Sequence, residues 1–123
     1  MPRPLTVECL SRLAAFDTTS RNSNLELIAW AEDFLRQHGA ETDRVYNTEG
    51  TKANLWGTFS PSGAPGLILS GHTDVVPVDG QAWSSDPFKL IQREECYFAR
   101  GACDMKAFLA YAWPQHRNWR LSG

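Results

Sequence analysis

Cysteine is scarce in this chain, and what there is does not pair. Cys9, Cys96 and Cys103 are odd in number, widely spaced and without a C-x-x-C pair. That excludes a disulfide framework and a structural zinc knuckle, and leaves reduced thiols as the expectation. Long apolar runs are also missing: nothing approaches the ~18 consecutive apolar residues of a membrane span. The start, Met1-Pro2-Arg3-Pro4, lacks the apolar core of a secretory signal. A cytoplasmic protein with no membrane partner is therefore expected. Charge of one sign is lacking too, for the formal net charge is -2. Without a basic field, nucleic acid is not expected as a partner, and a small or peptide-like ligand is the better default. Internal repeats, low-complexity segments and linkers are absent. Finally, from Met105 to Gly123 there is not one Asp or Glu.

What is present suits one modest domain. The chain has 123 residues, with 42% apolar and 21% charged residues, near the common domain size of roughly 100 to 150 residues. Thr6 is placed to cap a helix in which Val7, Leu10, Leu13 and Ala14 recur on one face. A polar loop, Asp17-Thr18-Thr19-Ser20, follows. Ser23 or Asn24 can cap a second helix with Leu25, Ile28, Ala29 and Leu35 on a shared face and Phe34 alongside, and Gly39 is its stop signal. Thr42 to Tyr46 and Asn54 to Phe59 read as strands, and residues 60–66 as a turn region. A third strand is expected at Leu67 to Ser70, buried because its apolar residues do not alternate with polar ones. Lys89 to Arg93 and Cys96 to Ala99 suit a short strand pair around Glu94-Glu95. Ala107 to Trp113 suits a helix ended by Pro114. The tail from Gln115 to Gly123 has no usable periodicity. The fold class expected is α/β, a sheet flanked by helices.

The chain is organised around Gly66-Leu67-Ile68-Leu69-Ser70-Gly71-His72-Thr73-Asp74-Val75-Val76-Pro77. In an extended segment, side chains two positions apart share a face, so His72 and Asp74 can act together. A carboxylate beside a metal-bound imidazole accepts its free ring N–H and fixes the tautomer. A histidine at a strand end is, taken alone, more often a hydrogen-bonded structural residue than a ligand, and Asp74 two residues on favours the ligand reading. Asp104 follows a Gly-bearing turn and precedes a helix, so it is either a helix cap or a metal ligand able to bridge two cations. Cys103 beside it reads as a small buried thiol.

The paired motifs His72-Thr73-Asp74-Val75-Val76-Pro77 and Arg100-Gly101-Ala102-Cys103-Asp104-Met105-Lys106, in this order, resemble the signatures of the M20 metallopeptidase and deacylase family. The resemblance extends to about Leu109. Phe16 to Leu25, Val78-Asp79-Gly80-Gln81 with Trp83, and Cys103 are most similar to the branch that removes the acetyl group from N2-acetylornithine in arginine synthesis. Succinyl-diaminopimelate and other N-acyl amino acids are the alternative substrates. The resemblance implies a small-molecule N-acyl amino acid substrate, two Zn2+ or Co2+ ions per site, and a full-length enzyme that can form a homodimer. It gives His72 as a ligand of one metal, Asp74 as the catalytic-site carboxylate orienting that histidine, and Asp104 as the bridge between both metals.

The family's general base and next ligand come from a Glu-Glu pair some tens of residues past the bridging aspartate, followed by a further carboxylate and a distant histidine. These have no counterpart here, where His116 is the one remaining candidate ligand. Residues 1–123 are therefore expected to be a truncated N-terminal part of a catalytic domain, without the lid and dimerisation domain or the C-terminal half, and inactive alone. A non-catalytic remnant or interaction fragment is the alternative of another class. Glu94-Glu95-Cys96 stands where relatives have an Asp-Gly turn, Ala99 where Gly is usual, and Ala107 where Gly follows the lysine. Strain is expected wherever such a position needs a positive φ.

Overall fold

The computed structural model describes residues 4–59, 63 and 65–115. His116 and most of the tail, together with most of the expected turn at 60–66, lie outside the described residues. Helix α1 (Pro4–Ala15) starts with proline, whose fixed φ suits the first helical turn and whose missing N–H costs nothing there. Thr6 is therefore inside the helix and buried, not its cap. The buried face carries Cys9, Leu10, Leu13 and Ala14. Val7 is only half-buried.

Helix α2 (Leu25–Gln37) buries Leu27, Ile28, Ala31, Glu32 and Leu35, a face rotated slightly from the expected one. Asn24 occupies the N-cap position without a capping bond of its own side chain. It pairs instead with the backbone of Ala53, donating from Nδ2 at 2.9 Å and accepting at Oδ1 at 3.0 Å. Ser23 takes up the exposed N–H of Leu25 through Oγ at 3.2 Å. Gly39, with φ 95, ends the helix as expected.

Strands β1 (Glu41–Tyr46) and β2 (Ala53–Thr58) form an antiparallel hairpin in which Asp43 faces Trp56. A largely buried carboxylate ties the hairpin to α2: Glu32 Oε1 accepts from Arg44 Nε at 3.1 Å and Nη2 at 2.9 Å, and Oε2 accepts from Thr42 Oγ1 at 3.2 Å. Strands β3 (Ile91–Arg93) and β4 (Cys96–Phe98) form a second, separate hairpin. A wide helical turn, Ala102–Lys106, leads into α3 (Ala107–Ala112), and Trp113–Gln115 tightens to a 3-10 turn at Pro114.

Cys9, Leu10, Leu13, Leu27, Ile28, Ala31, Ala53, Leu109 and Ala110 form the core, so α1, α2, β2 and α3 share one apolar centre. Phe16, Trp30, Phe34 and Trp113 cover its rim with ring centroids 5.6 to 6.4 Å apart. Helices and small antiparallel sheets together bear out the α/β class.

The expected buried strand at Leu67 to Ser70 is not formed. The segment has no regular secondary structure and pairs with no strand among the described residues, and Leu67 is 84% and Ile68 67% exposed. An apolar run calls for burial, but burial needs neighbouring strands and covering layers, which the described residues do not place there. Five residues further on, Val75 forms an isolated parallel bridge with Thr19.

Of the three places where strain was expected, the hairpin turn alone takes a positive φ. Ala107 is ordinary right-handed helix with φ -63, and Ala99 has no positive φ. Glu94, where relatives have an Asp-Gly turn, takes φ 56 at the β3–β4 turn, because a two-residue hairpin connection demands such a residue and no glycine is present.

Candidate metal centre

Three side chains singled out in the sequence meet at one place. The His72 ring stands between two carboxylates, with Nε2 3.0 Å from Asp104 Oδ1 and Nδ1 3.1 Å from Asp74 Oδ1. Nδ1 also lies 3.1 Å from the Asp74 carbonyl oxygen. Carboxylates accept and cannot donate, so both contacts are satisfied together only when the ring carries a proton on each nitrogen. Partial burial pulls the imidazole pKa down. The Asp104 hydrogen bond, the Asp74 backbone bond and the charge of both aspartates outweigh it, and the net direction is upward.

Backbone geometry explains how Asp104 reaches the ring. It is not the helix cap that its place before α3 suggests: it has extended φ -122 and ψ 88, and its side chain is 87% exposed toward His72. The Asp104–Met105 peptide bond is cis. Gly101 makes the approach possible, with φ 75 and no room for a side chain, since a Cβ there would lie 2.2 Å from Val75 Cγ1. Cys103, expected to be buried, is exposed. Cys9 is the buried thiol, and burial pushes its pKa up to about 12, which makes it unreactive.

The loop between α1 and α2, read in the sequence as polar and as part of the family resemblance, supports this cluster. Ser20 Oγ donates to Asp74 Oδ2 at 3.0 Å, and Thr18 Oγ1 donates to the Thr73 carbonyl at 2.6 Å. Lys106, wholly buried beside the Asp104 arm, donates from Nζ to the Phe16 carbonyl at 3.0 Å. The loop thus contacts both arms of the site. The run of hydroxyl residues Thr18-Thr19-Ser20 was visible in the sequence, but nothing there pointed it at Asp74.

An imidazole nitrogen and a carboxylate oxygen form a donor set suited to zinc and similar divalent ions. Two ligands of one tetrahedral zinc stand about 3.4 Å apart, given bond lengths of about 2.0 to 2.2 Å. The 3.0 Å between His72 Nε2 and Asp104 Oδ1 is close to that span. The set is small: among the described residues, no group of three or more His, Cys, Asp or Glu is gathered so as to hold a metal ion.

Residues 68–122 match the family described as peptidase family M20/M25/M40. The match takes in both arms of the cluster. Over these residues the chain is similar to that family. Among similar proteins, the chain is 41% identical over 108 residues to an acetylornithine deacetylase of Myxococcus xanthus, covering 84% of the chain and 28% of that relative. It is 38% identical over 101 residues to the acetylornithine deacetylase of Pasteurella multocida, with 80% of the chain and 26% of the relative covered. The acetylornithine deacetylase of Erwinia tasmaniensis matches at 38% over 112 residues, or 89% of the chain and 29% of the relative. The chain thus spans roughly a quarter of the length of these relatives.

Among the described residues, no helix is long and apolar enough to cross a membrane.

Proposed function

We propose that this chain is the N-terminal, metal-gripping part of a metal-dependent amide hydrolase of the acetylornithine deacetylase type, with N2-acetylornithine as substrate. The observation that carries this reading is the His72 ring held between Asp74 and Asp104, in a chain whose relatives bear that name. In this reading His72 and Asp104 are ligands of Zn2+ or Co2+. Asp74 keeps the proton on Nδ1, so that the Nε2 lone pair faces the cation. Bound divalent cations supply Lewis acidity toward an amide carbonyl and make water a nucleophile near neutral pH. Asp104, with two oxygens and little burial, is suited to contact two cations.

Two protein ligands are fewer than the three that a catalytic zinc takes. We therefore propose that the lid domain and the remaining ligands fall outside these 123 residues, and that this chain alone does not turn over substrate. Zinc titration by calorimetry tests the site: binding that is lost in His72→Ala and in Asp104→Ala is expected, and flat heats for the unaltered chain would overturn it. A chimera tests the substrate. In it, this chain replaces the matching segment of the Myxococcus xanthus relative. Acetate release from N2-acetylornithine is expected, and preference for a succinylated diamino acid would replace the substrate named here.

A further inference from the structure

We infer that Ser20 is a positioning residue of the metal centre, acting through Asp74 on His72. The inference rests on the metal-binding reading above and adds to it a residue on a different segment, 54 positions away from the aspartate it holds.

Asp74 divides its two oxygens between two partners. Oδ1 faces His72 Nδ1 at 3.1 Å, and Oδ2 accepts the Ser20 hydroxyl at 3.0 Å. Among the described residues no other side chain hydrogen-bonds to Oδ2. The carboxylate is 55% exposed, so packing does not lock its two side-chain torsions. A hydroxyl has a single proton, and the other acceptor in reach is the Val75 carbonyl at 3.3 Å. That carbonyl already accepts the Ser20 N–H at 3.0 Å. The nearer, charged oxygen is the stronger acceptor and takes the proton.

Ser20 can impose an orientation because its own backbone has little freedom. Its N–H donates to Val75 O, and the Val75 N–H donates back to Thr18 O at 3.0 Å, which forms the parallel bridge. The Lys52 amine donates to the Ser20 carbonyl. Asp17 Oδ1 accepts both the N–H and the hydroxyl of Thr19, at 3.1 and 2.6 Å. The chain of contacts thus runs from an anchored loop through a hydroxyl and a carboxylate to the imidazole that faces Asp104. Removing the hydroxyl frees the Asp74 carboxylate to rotate, and the ring then spends less time with Nε2 aimed at the cation.

Zinc affinity of the 123-residue chain, measured by competition with a chromophoric chelator, tests this. Groups hydrogen-bonded to a metal ligand are worth about 10- to 100-fold in metal affinity; one bond further out, Ser20→Ala is expected to weaken zinc binding about 3- to 10-fold. Ser20→Thr, which keeps the hydroxyl, should restore it to within about twofold, and Ser20→Val, of the same shape without the hydroxyl, should not. The Thr and Val pair decides the matter even where the Ala variant loses structure. In an Asp74→Ala background the Ser20→Ala effect should vanish, because the two residues act in series. Unchanged affinity in Ser20→Ala, equal affinities of the Thr and Val variants, or additive losses in the double variant would each overturn the role of Ser20 while leaving the metal centre standing. A chain that binds no zinc, or binds it equally well as His72→Ala, would overturn the metal centre and this inference with it.

Discussion

Gly101 and Val75 are in such close register that a methyl group on the glycine would lie 2.2 Å from Val75 Cγ1. This contact joins the two arms of the site, since Val75 follows Asp74 directly and Gly101 opens the turn that carries Asp104. The positive φ of 75 at Gly101 adds a conformational requirement to the steric one.

Gly101→Ala is accordingly expected to destabilise the chain by about 2 to 4 kcal/mol, through overpacking and a strained φ together. A thermal melt followed by circular dichroism measures it. A loss below about 0.5 kcal/mol would mean that the two arms separate without penalty.

Glu94→Gly should act in the opposite sense. Glu94 holds φ 56 in the β3–β4 turn, and glycine adopts that conformation without a Cβ clash. A gain of about 0.5 to 1 kcal/mol is expected after the greater entropy loss of glycine is set against the relieved strain. Denaturant titration gives the number, and a destabilised variant would contradict this account of the turn.

Glu32→Gln removes the charge that gathers Arg44 and Thr42 onto α2, with Arg36 Nη2 also 3.6 Å from Oε2. A loss of about 1 to 3 kcal/mol is expected, since the guanidinium keeps a weaker partner. The Arg44 hydrogen bond holds the Glu32 carboxyl below its ordinary pKa of 4.5, against the opposing effect of burial. The stabilisation it contributes is thus present above pH 4.5 and lost as pH falls through the lower folded-state pKa. The Gln variant should lack that part of the acid transition.

Lys106 carries the alkaline counterpart. Its amine is buried, and burial brings its pKa down from 10.5 to about 8, only partly offset by the charge of Asp17. Between these values the unfolded chain binds more protons than the folded one, so stability should rise as pH increases from about 8 to 10.5. The full difference is on the order of 3 kcal/mol. Denaturant midpoints across that range measure the slope, and Lys106→Met should abolish it. A slope of the other sign would show that the ammonium is better solvated in the fold than its single bond to Phe16 O indicates.

The helices were legible from local pattern. A 3.6-residue spacing of apolar side chains marks a buried helix face wherever it packs, so α1 and α2 were readable although Thr6, expected as a cap, is buried inside the first turn and Val7 is only half-buried. The two hairpins were readable for a similar reason: turn residues between short runs report on neighbouring backbone only. Leu67 to Ser70 was not, because a fully buried strand is defined by partners distant in sequence. An apolar run states a need for cover without stating what supplies it.

His72, Asp74 and Asp104 were nameable because their residue types and motif order carry the chemistry. His-x-Asp puts a ring and a carboxylate on one face by local geometry alone. The sequence by itself therefore determined the family resemblance, the helix faces and which three polar side chains to look for together. The tertiary structure decided that Asp104 leaves helical geometry to meet Nε2, that Gly101 seats against Val75, and that Ser20 turns its hydroxyl to Asp74. Those three facts depend on contacts spanning tens of residues, and distances across such spans are set by packing of the whole core, which no local periodicity encodes.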